Sequence, residues 1–208
     1  MNEDFVKRAI NKIQWDPNKI GLDIGAHHGA YSIPLARKCK HVYAFEPFPV
    51  NIERITEETK HIPNITVVQK AISNVTGKTK LYPCPTNTGG NSISDAIAEC
   101  ETWGHSLSNH IEVDTITIDD FVGDIPLGYI KMDIEGAEDF VWEGAVKTLK
   151  KNQLNIILEV HQKVNGDKLF AFFKKLKYTA IQDSGTIADT FVNDRHYLLY
   201  NGWSINLN

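Results

Sequence analysis

The stretch KIGLDIGAHHG, residues 19–29, decides the fold of this chain. Its first seven residues form a short apolar run that ends in glycine, which is typical of a buried strand. A helical stretch follows from Gly29 to about Lys38. We therefore expect a strand that turns directly into a helix, which is the repeating unit of parallel α/β sheets.

The same alternation continues through most of the chain. Short apolar runs predict strands at 41–46, 65–72, 129–134 and 155–161, longer patterns predict helices at about 47–60, 137–150 and 166–176, and two last strands lie near 178–182 and 196–200. This order predicts a doubly wound, Rossmann-like α/β fold with a seven-stranded, mostly parallel sheet. A polar loop without helical signal joins the last two strands, which favours an antiparallel edge hairpin.

Two segments fall outside this alternation. Apolar residues at 5, 6, 9, 10 and 13 predict an N-terminal helix within residues 1–16. Residues 77–127 combine a Gly89-Gly90 pair, a polar stretch and one alternating strand, so we expect an insertion between the third and fourth core strands. With 208 residues, the whole chain, 1–208, is expected to form a single domain.

Composition narrows the classes of function. Twenty-two Lys and Arg residues stand against 26 Asp and Glu residues, a net charge of -4, so we expect no nucleic-acid partner. No apolar run approaches the roughly 18 residues of a membrane span, and the N-terminus lacks a secretory signal, so no membrane partner is expected. The three cysteines form no disulfide framework or zinc motif, which favours the cytoplasm.

The turn after the first strand indicates which ligand the fold holds, because open parallel sheets bind ligands beyond the carboxyl ends of their strands. Gly25 permits a tight turn, and Gly29 lets the helix pack closely or a ligand approach the backbone. A dinucleotide fingerprint would carry glycine at the position of His27. The imidazole and the nearby Asp23 carboxylate disfavour a diphosphate and favour a cationic ligand such as S-adenosylmethionine. A plain structural turn is the alternative.

Glu46 closes the second strand, 23 positions after Asp23. A carboxylate there can accept hydrogen bonds from both hydroxyls of an adenosine ribose, and Pro47 fixes the following turn. A solvated acid at a strand end would give the same pattern, so this assignment gains weight only together with the first turn.

Six segments resemble, in the same order, signature blocks of the FkbM family of S-adenosylmethionine-dependent methyltransferases. They cover about residues 20–161 and read IGLDIGAHHGAYSIPLA, VYAFEPFPVNIERI, VVQKAISNVTG, VDTITIDDF, YIKMDIEGAEDFVWEGA and IILEVH. The resemblance implies a class I methyltransferase fold with S-adenosylmethionine as cofactor. It implies a cofactor shell of Asp23, Gly25, Ala26 and Gly29 at the methionine end, Glu46 and Pro47 at the ribose, and Ala71, Ile72 and Ser73 beside the adenine.

Two positions depart from that family pattern. His27 stands where the family usually has Asn, and Pro34 lies inside the first helix of the sheet, which it should kink or shorten.

Acidic residues and a histidine follow two later strands. Asp133 and Glu135 come at the end of the fourth strand, and Glu159 and His161 at the end of the fifth. Because side chains alternate along a strand, each pair should point to one side. We assign catalytic roles to Asp133, Glu135 and His161: the two acids would position cofactor and acceptor, and His161 or a carboxylate would act as general base.

Two other interpretations of these residues stay open. Clustered carboxylates with one imidazole also suit Mg²⁺ or Mn²⁺, although a metal is not the favoured interpretation. Alternatively, Glu135 and Glu138 cap the following helix, and His161 is an ordinary loop residue.

The loop at residues 87–92 resembles a glycine-asparagine-serine stretch that often occurs here in the family. We expect Asn91 to contact the cofactor, with a plain surface turn as the alternative. Nearby, Trp103, His105 and His110 could line an acceptor pocket or pack the insertion onto the core.

The chain is therefore expected to be an enzyme that methylates a hydroxyl of a small-molecule or glycan acceptor. A nicotinamide-dependent oxidoreductase and a non-catalytic nucleoside-binding module are the alternatives.

Overall fold

A mostly parallel sheet of seven strands forms the centre of the computed structural model, which describes residues 3–99, 104–182 and 184–201. The mixed α/β architecture expected from the sequence is confirmed. The strands of this sheet, in spatial order, are β3 (Ile65–Val68), β2 (His41–Phe45), β1 (Ile20–Ile24), β7 (Leu127–Met132), β8 (Asn155–Val160), β10 (Arg195–Tyr200) and β9 (Thr179–Gln182).

The strand order reverses at β1. The chain first runs outward from β1 through β2 to β3, and later returns to place β7 on the other side of β1. Within this sheet, β3, β2, β1, β7 and β8 run parallel to one another, whereas β10 is antiparallel to both β8 and β9. Every residue of β1, β7 and β8 is buried, as expected for strands covered on both faces. The reversal places a ligand crevice beyond the carboxyl end of β1.

Helices cover both faces of this sheet. They are α1 (Glu3–Lys12), α2 (Ser32–Ala36), α3 (Pro49–Thr59), α4 (Asp95–Glu99), α5 (Ile118–Val122), α6 (Glu138–Val141), α7 (Val146–Lys151) and α8 (Gly166–Lys175). The N-terminal helix α1 packs Phe5, Val6 and Ile10 against sheet residues that include Tyr129 and Leu198. None of the helices in the described ranges is long and apolar enough to span a lipid bilayer.

The helix after β1 is shorter than its sequence pattern suggests. The expected span from Gly29 to about Lys38 is reduced to α2, and Pro34 lies in its middle. Proline has no backbone N–H to donate and crowds the preceding turn. The expected shortening at Pro34 is therefore confirmed.

The predicted strand at 65–72 is wrong as a single element. β3 ends at Val68, and the chain then turns, with the N–H of Lys70 bonded to the carbonyl of Val68. Residues Ala71–Ile72 form β4, which pairs with β6 in a second, three-stranded sheet. This sheet has the order β4-β6-β5, with β5 at Gly77–Leu81 and β6 at Ile111–Ile116.

The predicted helix at 137–150 is also interrupted. Between α6 and α7 lies a 3₁₀ turn, Trp142–Ala145, which brings the chain close to the second sheet. A Cβ on Gly144 would lie 2.9 Å from the carbonyl oxygen of Ser73, closer than side chains pack. The tighter turn thus joins the two sheets, which periodicity alone does not reveal.

Candidate functional site

A cleft opens beyond the carboxyl ends of β1 and β2, beside β4. Its empty space is about 630 Å³ when the open solvent at its mouth is included. Of the residues expected to bind cofactor, six line this cleft: Gly25, Glu46, Pro47, Ala71, Ile72 and Asn91. Asp133 also lines it.

Gly25 is the residue that brings β1 and β7 together at the cleft. Its backbone has a φ of +75°, which favours glycine, and its N–H donates to the carbonyl of Phe45. A Cβ at this position would lie 1.8 Å from the carbonyl oxygen of Asp133. The turn therefore requires glycine on two grounds, its backbone angle and its close contact.

Glu46 presents a buried carboxylate at the end of β2. The backbone N–H of His27 donates to Oε2, and that of Phe48 donates to Oε1, each at 2.9 Å. The side chain of Asn51 is a third hydrogen-bonding neighbour of this carboxylate, which can accept about four hydrogen bonds in all and so retains capacity for a ligand hydroxyl. Burial raises the pKa of Glu46 to about 7, against the lowering effect of these backbone donors.

Asn91 carries an amide that fits a ligand in the same cleft. Its Oδ1 accepts from the backbone N–H of Cys84, 2.9 Å away, which fixes the orientation of the side chain. Its Nδ2 is buried and donates to no described residue. A buried donor without an acceptor is costly, and a ligand acceptor would satisfy it.

Part of the cleft lining is apolar. Ala71 and Ile72 of β4 contribute to it together with Leu81 and Ile93. Apolar side chains suit contact with the faces of an adenine ring.

Asp23 does not line the cleft, and its contact with the cofactor stays a prediction. Its side chain has no exposed surface; Oδ2 accepts from Oγ of Ser32 at 2.6 Å, and Oδ1 lies 3.6 Å from Nζ of Lys131. Lys131 also reaches Asp133 at 3.4 Å and donates to the carbonyl of Gly25 at 3.2 Å. Asp23 therefore acts on the cleft through Lys131.

Three further residues expected in the cofactor shell also lie outside the lining. Gly29 has a φ of +88°, and a Cβ there would lie 3.1 Å from Ile55 of α3, so this glycine serves helix packing. Ala26 packs against Ala44 and Ile55, and Ser73 is a buried turn residue whose N–H bonds to the carbonyl of Ile116. All three are packed against neighbouring elements in this structure, and their contact with the cofactor stays a prediction.

His27 also belongs to the cleft lining. The sequence pattern indicated only that its imidazole disfavours a diphosphate at this turn. Its φ is +51°, a region where Asn and His are enriched among non-glycine residues, so the exchange with the family's usual Asn has a backbone reason. Its Nε2 lies 2.9 Å from Oγ1 of Thr88, in the 3₁₀ turn Thr88–Gly90. Burial lowers the pKa of His27 to about 4. His27 thus ties the insertion loop to the first turn.

Beside the cleft lies a set of side chains that we call the polar cluster. It consists of Asp133, Glu135, Glu138, Glu159 and His161. Nε2 of His161 lies 3.5 Å from Oδ1 of Asp133, 3.5 Å from Oε2 of Glu135 and 3.6 Å from Oε1 of Glu159. Three carboxylates therefore meet one imidazole here, because β7 and β8 are neighbours.

Glu138 fixes the orientation of His161. Its carboxylate is fully buried, lies 2.7 Å from Nδ1 of His161 and accepts from the backbone N–H of Gly136 at 3.1 Å. His161 is therefore not a free loop residue, and Glu138 holds the turn before α6 as well as the imidazole. Sequence spacing placed Glu138 only at the start of a helix.

The cluster carries strongly perturbed charges. Burial acts to lower the pKa of His161, but the neighbouring carboxylates, Glu138 foremost, raise it well above its ordinary value. Burial raises the pKa of Glu135 to about 7. The pKa of Asp133 is lowered, because Lys131 and His161 outweigh the effect of its burial. Such perturbation is typical of functional sites.

The histidines of the insertion do not line the cleft. His105 is buried, with Nε2 2.8 Å from the carbonyl oxygen of Gly90, and His110 stacks edge-on against Tyr82. Both contacts lie within residues 77–127, so these histidines hold the insertion together internally. Trp103 lies outside the described residues.

A parallel sheet that reverses at β1, with an acid at the tip of β2 inside the resulting cleft, defines the class of Rossmann-like nucleoside-binding proteins. Residues 23–180 match the family model described as the methyltransferase FkbM domain. The chain therefore belongs to the FkbM family of S-adenosylmethionine-dependent methyltransferases.

Two relatives are similar to part of this chain or to its fold. The hexuronic acid methyltransferase AglP of Haloferax volcanii is 26% identical over 167 residues, which cover 78% of this chain and 64% of AglP. The structure of FkbM from Methylobacillus flagellatus shares 19% identity with a TM-score of 0.57, covering 92% of this chain and 45% of that one. This chain thus spans less than two thirds of either relative.

A third comparison covers nearly all of both proteins. A Streptococcus mutans protein, solved in complex with S-adenosylhomocysteine (SAH), has a TM-score of 0.55 at 14% identity over 96% of this chain and 99% of that one. At this identity, the likeness supports the fold.

Proposed function

We propose that this chain transfers the methyl group of S-adenosylmethionine to a hydroxyl of a small-molecule or glycan acceptor. The observation that carries the proposal is the buried Glu46 carboxylate at the tip of β2, which lines the cleft and retains acceptor capacity beyond its protein donors. The two adjacent hydroxyls of a ribose match that pair of acceptors.

The rest of the lining supports one orientation of the cofactor. The apolar residues Ala71, Ile72 and Leu81 would hold the adenine, and Nδ2 of Asn91 would supply a donor within the same cleft. Gly25 and Asp133 would then lie at the methionine end. When bound, the cofactor supplies an activated methyl group on a sulfonium whose departure as a neutral thioether drives transfer.

Asp133 lies at the boundary between the cleft and the polar cluster, which makes it the meeting point of cofactor and acceptor. We assign Asp133 and Glu135 to orienting the acceptor hydroxyl in line with the methyl group. The cluster of carboxylates around His161 accepts the proton that the hydroxyl gives up. Asp133, Glu135 and His161 are the proposed catalytic groups.

A sugar is the favoured class of acceptor. AglP, which is 26% identical to this chain, is named for methylating a hexuronic acid. Sugar hydroxyls are weak acids, and a polar cluster beside the methyl donor fits the need for a nearby proton acceptor.

Calorimetry with SAH and with NAD tests the choice of cofactor. We expect saturable SAH binding and none of NAD, whereas NAD binding alone would favour an oxidoreductase. Incubation with methyl-labelled S-adenosylmethionine and a panel of neutral sugars, amino sugars and uronates, followed by mass spectrometry, then tests transfer. SAH binding with no labelled product in any arm would favour a non-catalytic module.

The variant Asp133→Asn separates a catalytic role from simple cofactor binding. We expect it to reduce turnover more than it weakens SAH binding, and equal losses would place Asp133 in the cofactor shell alone. The exposed Asp189→Asn is a matched control that should leave both unchanged.

A further inference from the structure

We propose that Asp133, Glu159 and His161 bind one divalent cation beside the cofactor cleft. The inference rests on the proposed function for its purpose, because the cation would hold an oxygen of the acceptor next to the methyl donor. Its binding can be measured without turnover.

The three residues offer ligand atoms that converge on one point. One atom from each of Asp133, Glu159 and His161 lies within 4.8 Å of the other two. Nε2 of His161 is 3.5 Å from Asp133 and 3.6 Å from Glu159, longer than the roughly 2.7–2.9 Å of a charge-assisted hydrogen bond. Ligand atoms bound at about 2.0–2.2 Å to a shared ion are held about 3 Å or more apart. The observed spacing therefore fits shared ligation better than direct pairing.

The imidazole is oriented for ligation. Nδ1 of His161 faces the buried carboxylate of Glu138 at 2.7 Å, so in the neutral ring it carries the proton. A cation bound among the three side chains would displace the proton from Nε2 and receive the nitrogen lone pair. A carboxylate that orients a histidine from behind is a regular feature of metal sites.

Two buried carboxylates face this point. Glu159 is nine-tenths buried; its Oε1 faces His161, whereas its Oε2, which has no hydrogen-bond partner among the described residues, lies 3.0 Å from Nε2 of His196. Asp133 is 10% exposed; Lys131 lies 3.4 Å from its Oδ2, while its Oδ1 faces His161. Buried carboxylates are costly unless cations compensate them, and four carboxylates gather around this one imidazole.

The donor set selects the kind of ion. Carboxylate oxygens suit Mg²⁺ and Mn²⁺, and an imidazole favours a transition metal over Mg²⁺, so Mn²⁺ fits both donor types. Glu135 is 27% exposed, with Oε2 3.5 Å from the imidazole, and can complete the shell. A cation here would also offset the carboxylates that otherwise repel an anionic acceptor such as a uronate.

Mn²⁺ titration of the chelator-treated whole chain, followed by electron paramagnetic resonance, tests the site. We expect one equivalent to bind with a dissociation constant below about 1 mM, as for protein sites of this kind. Spin-echo modulation from one ¹⁴N nucleus would show that His161 is a ligand. Glu159→Gln should weaken binding at least about tenfold. Glu143→Gln, a half-exposed partner of Lys168, is the control and should bind like wild type.

Three results would overturn the proposal: no saturable Mn²⁺ binding, bound Mn²⁺ without nitrogen modulation, or an unchanged affinity in Glu159→Gln. If that variant does not fold, the nitrogen modulation in wild type decides alone. Calorimetry of SAH binding on the same samples separates the metal proposal from the proposed function. If SAH binds but Mn²⁺ does not, only the metal proposal fails. If SAH does not bind, the proposed function is contradicted.

Discussion

Gly25 and Asp133 lie so close that a Cβ on residue 25 would come within 1.8 Å of the carbonyl oxygen of Asp133. This contact joins the turn after β1 to the end of β7, and therefore joins the cofactor cleft to the polar cluster. The two halves of the site are positioned by backbone packing, before any ligand binds.

Gly25→Ala should destabilise the fold by about 2–5 kcal/mol, the sum of a left-handed backbone cost and a steric clash. Urea unfolding measures this change. The control is Gly185→Ala, where φ is +87° but nothing lies within 4 Å of an added Cβ. That variant should lose only about 1–2 kcal/mol. Equal losses in both would show that the contact with Asp133 is unimportant.

Glu46→Gln should weaken SAH binding by about 1.5–3 kcal/mol, because hydrogen bonds to a charged acceptor are replaced by weaker ones. Calorimetry would register this as a roughly 10- to 150-fold rise in dissociation constant. Glu53→Gln, an exposed acid on α3, should bind as wild type does. An unchanged affinity in Glu46→Gln would remove Glu46 from the ribose site.

SAH affinity should rise from about pH 6 to about pH 8, since the pKa of Glu46 in the free protein is raised to about 7 by burial. Below that pKa the carboxyl is protonated and gives up one acceptor position, whereas above it both oxygens accept. His27, with a pKa of about 4, stays neutral across this window. Calorimetry in buffers of different ionisation enthalpy should show proton release near neutral pH. An affinity that falls as pH rises, or a slope retained in Glu46→Gln, would contradict this account.

Lys131→Met should destabilise the protein by about 3–5 kcal/mol, because it leaves Asp23 and Asp133 buried without their shared cation. Chemical denaturation gives the value. Adding Asp23→Asn in the same chain should recover part of the loss, since one of the two uncompensated charges is removed. The exposed Lys147→Met should change stability little. No recovery in the double variant would argue against the pairing of Asp23 with Lys131.

Much of the fold was predictable because apolar runs and helical spacing report burial directly. The strands around Leu22, Ala44, Ile130 and Leu158 were found near their true bounds. The division of residues 65–72 between two sheets was not, because Val68 and Ile72 carry the same apolar signal although they pair with different partners. Strand partners depend on contacts distant in sequence.

The candidate site was predictable where an acidic residue directly follows a predicted strand. Glu46 and Asp133 line the cleft as expected. Asp23 is one residue before the end of β1, and its burial against Ser32 depends on a helix that packs behind the strand. The contribution of Glu138 likewise depends on His161, which follows a different strand. A contact between residues on different elements leaves no local signal in the sequence.

A crystal structure of the chain with SAH tests the central claim most directly. We expect the two ribose hydroxyls to lie within hydrogen-bond distance of Oε1 and Oε2 of Glu46, with the adenine between Ile72 and Leu81 and the sulfur toward Asp133. A ligand bound in another part of the molecule, or a ribose turned away from Glu46, would contradict the account.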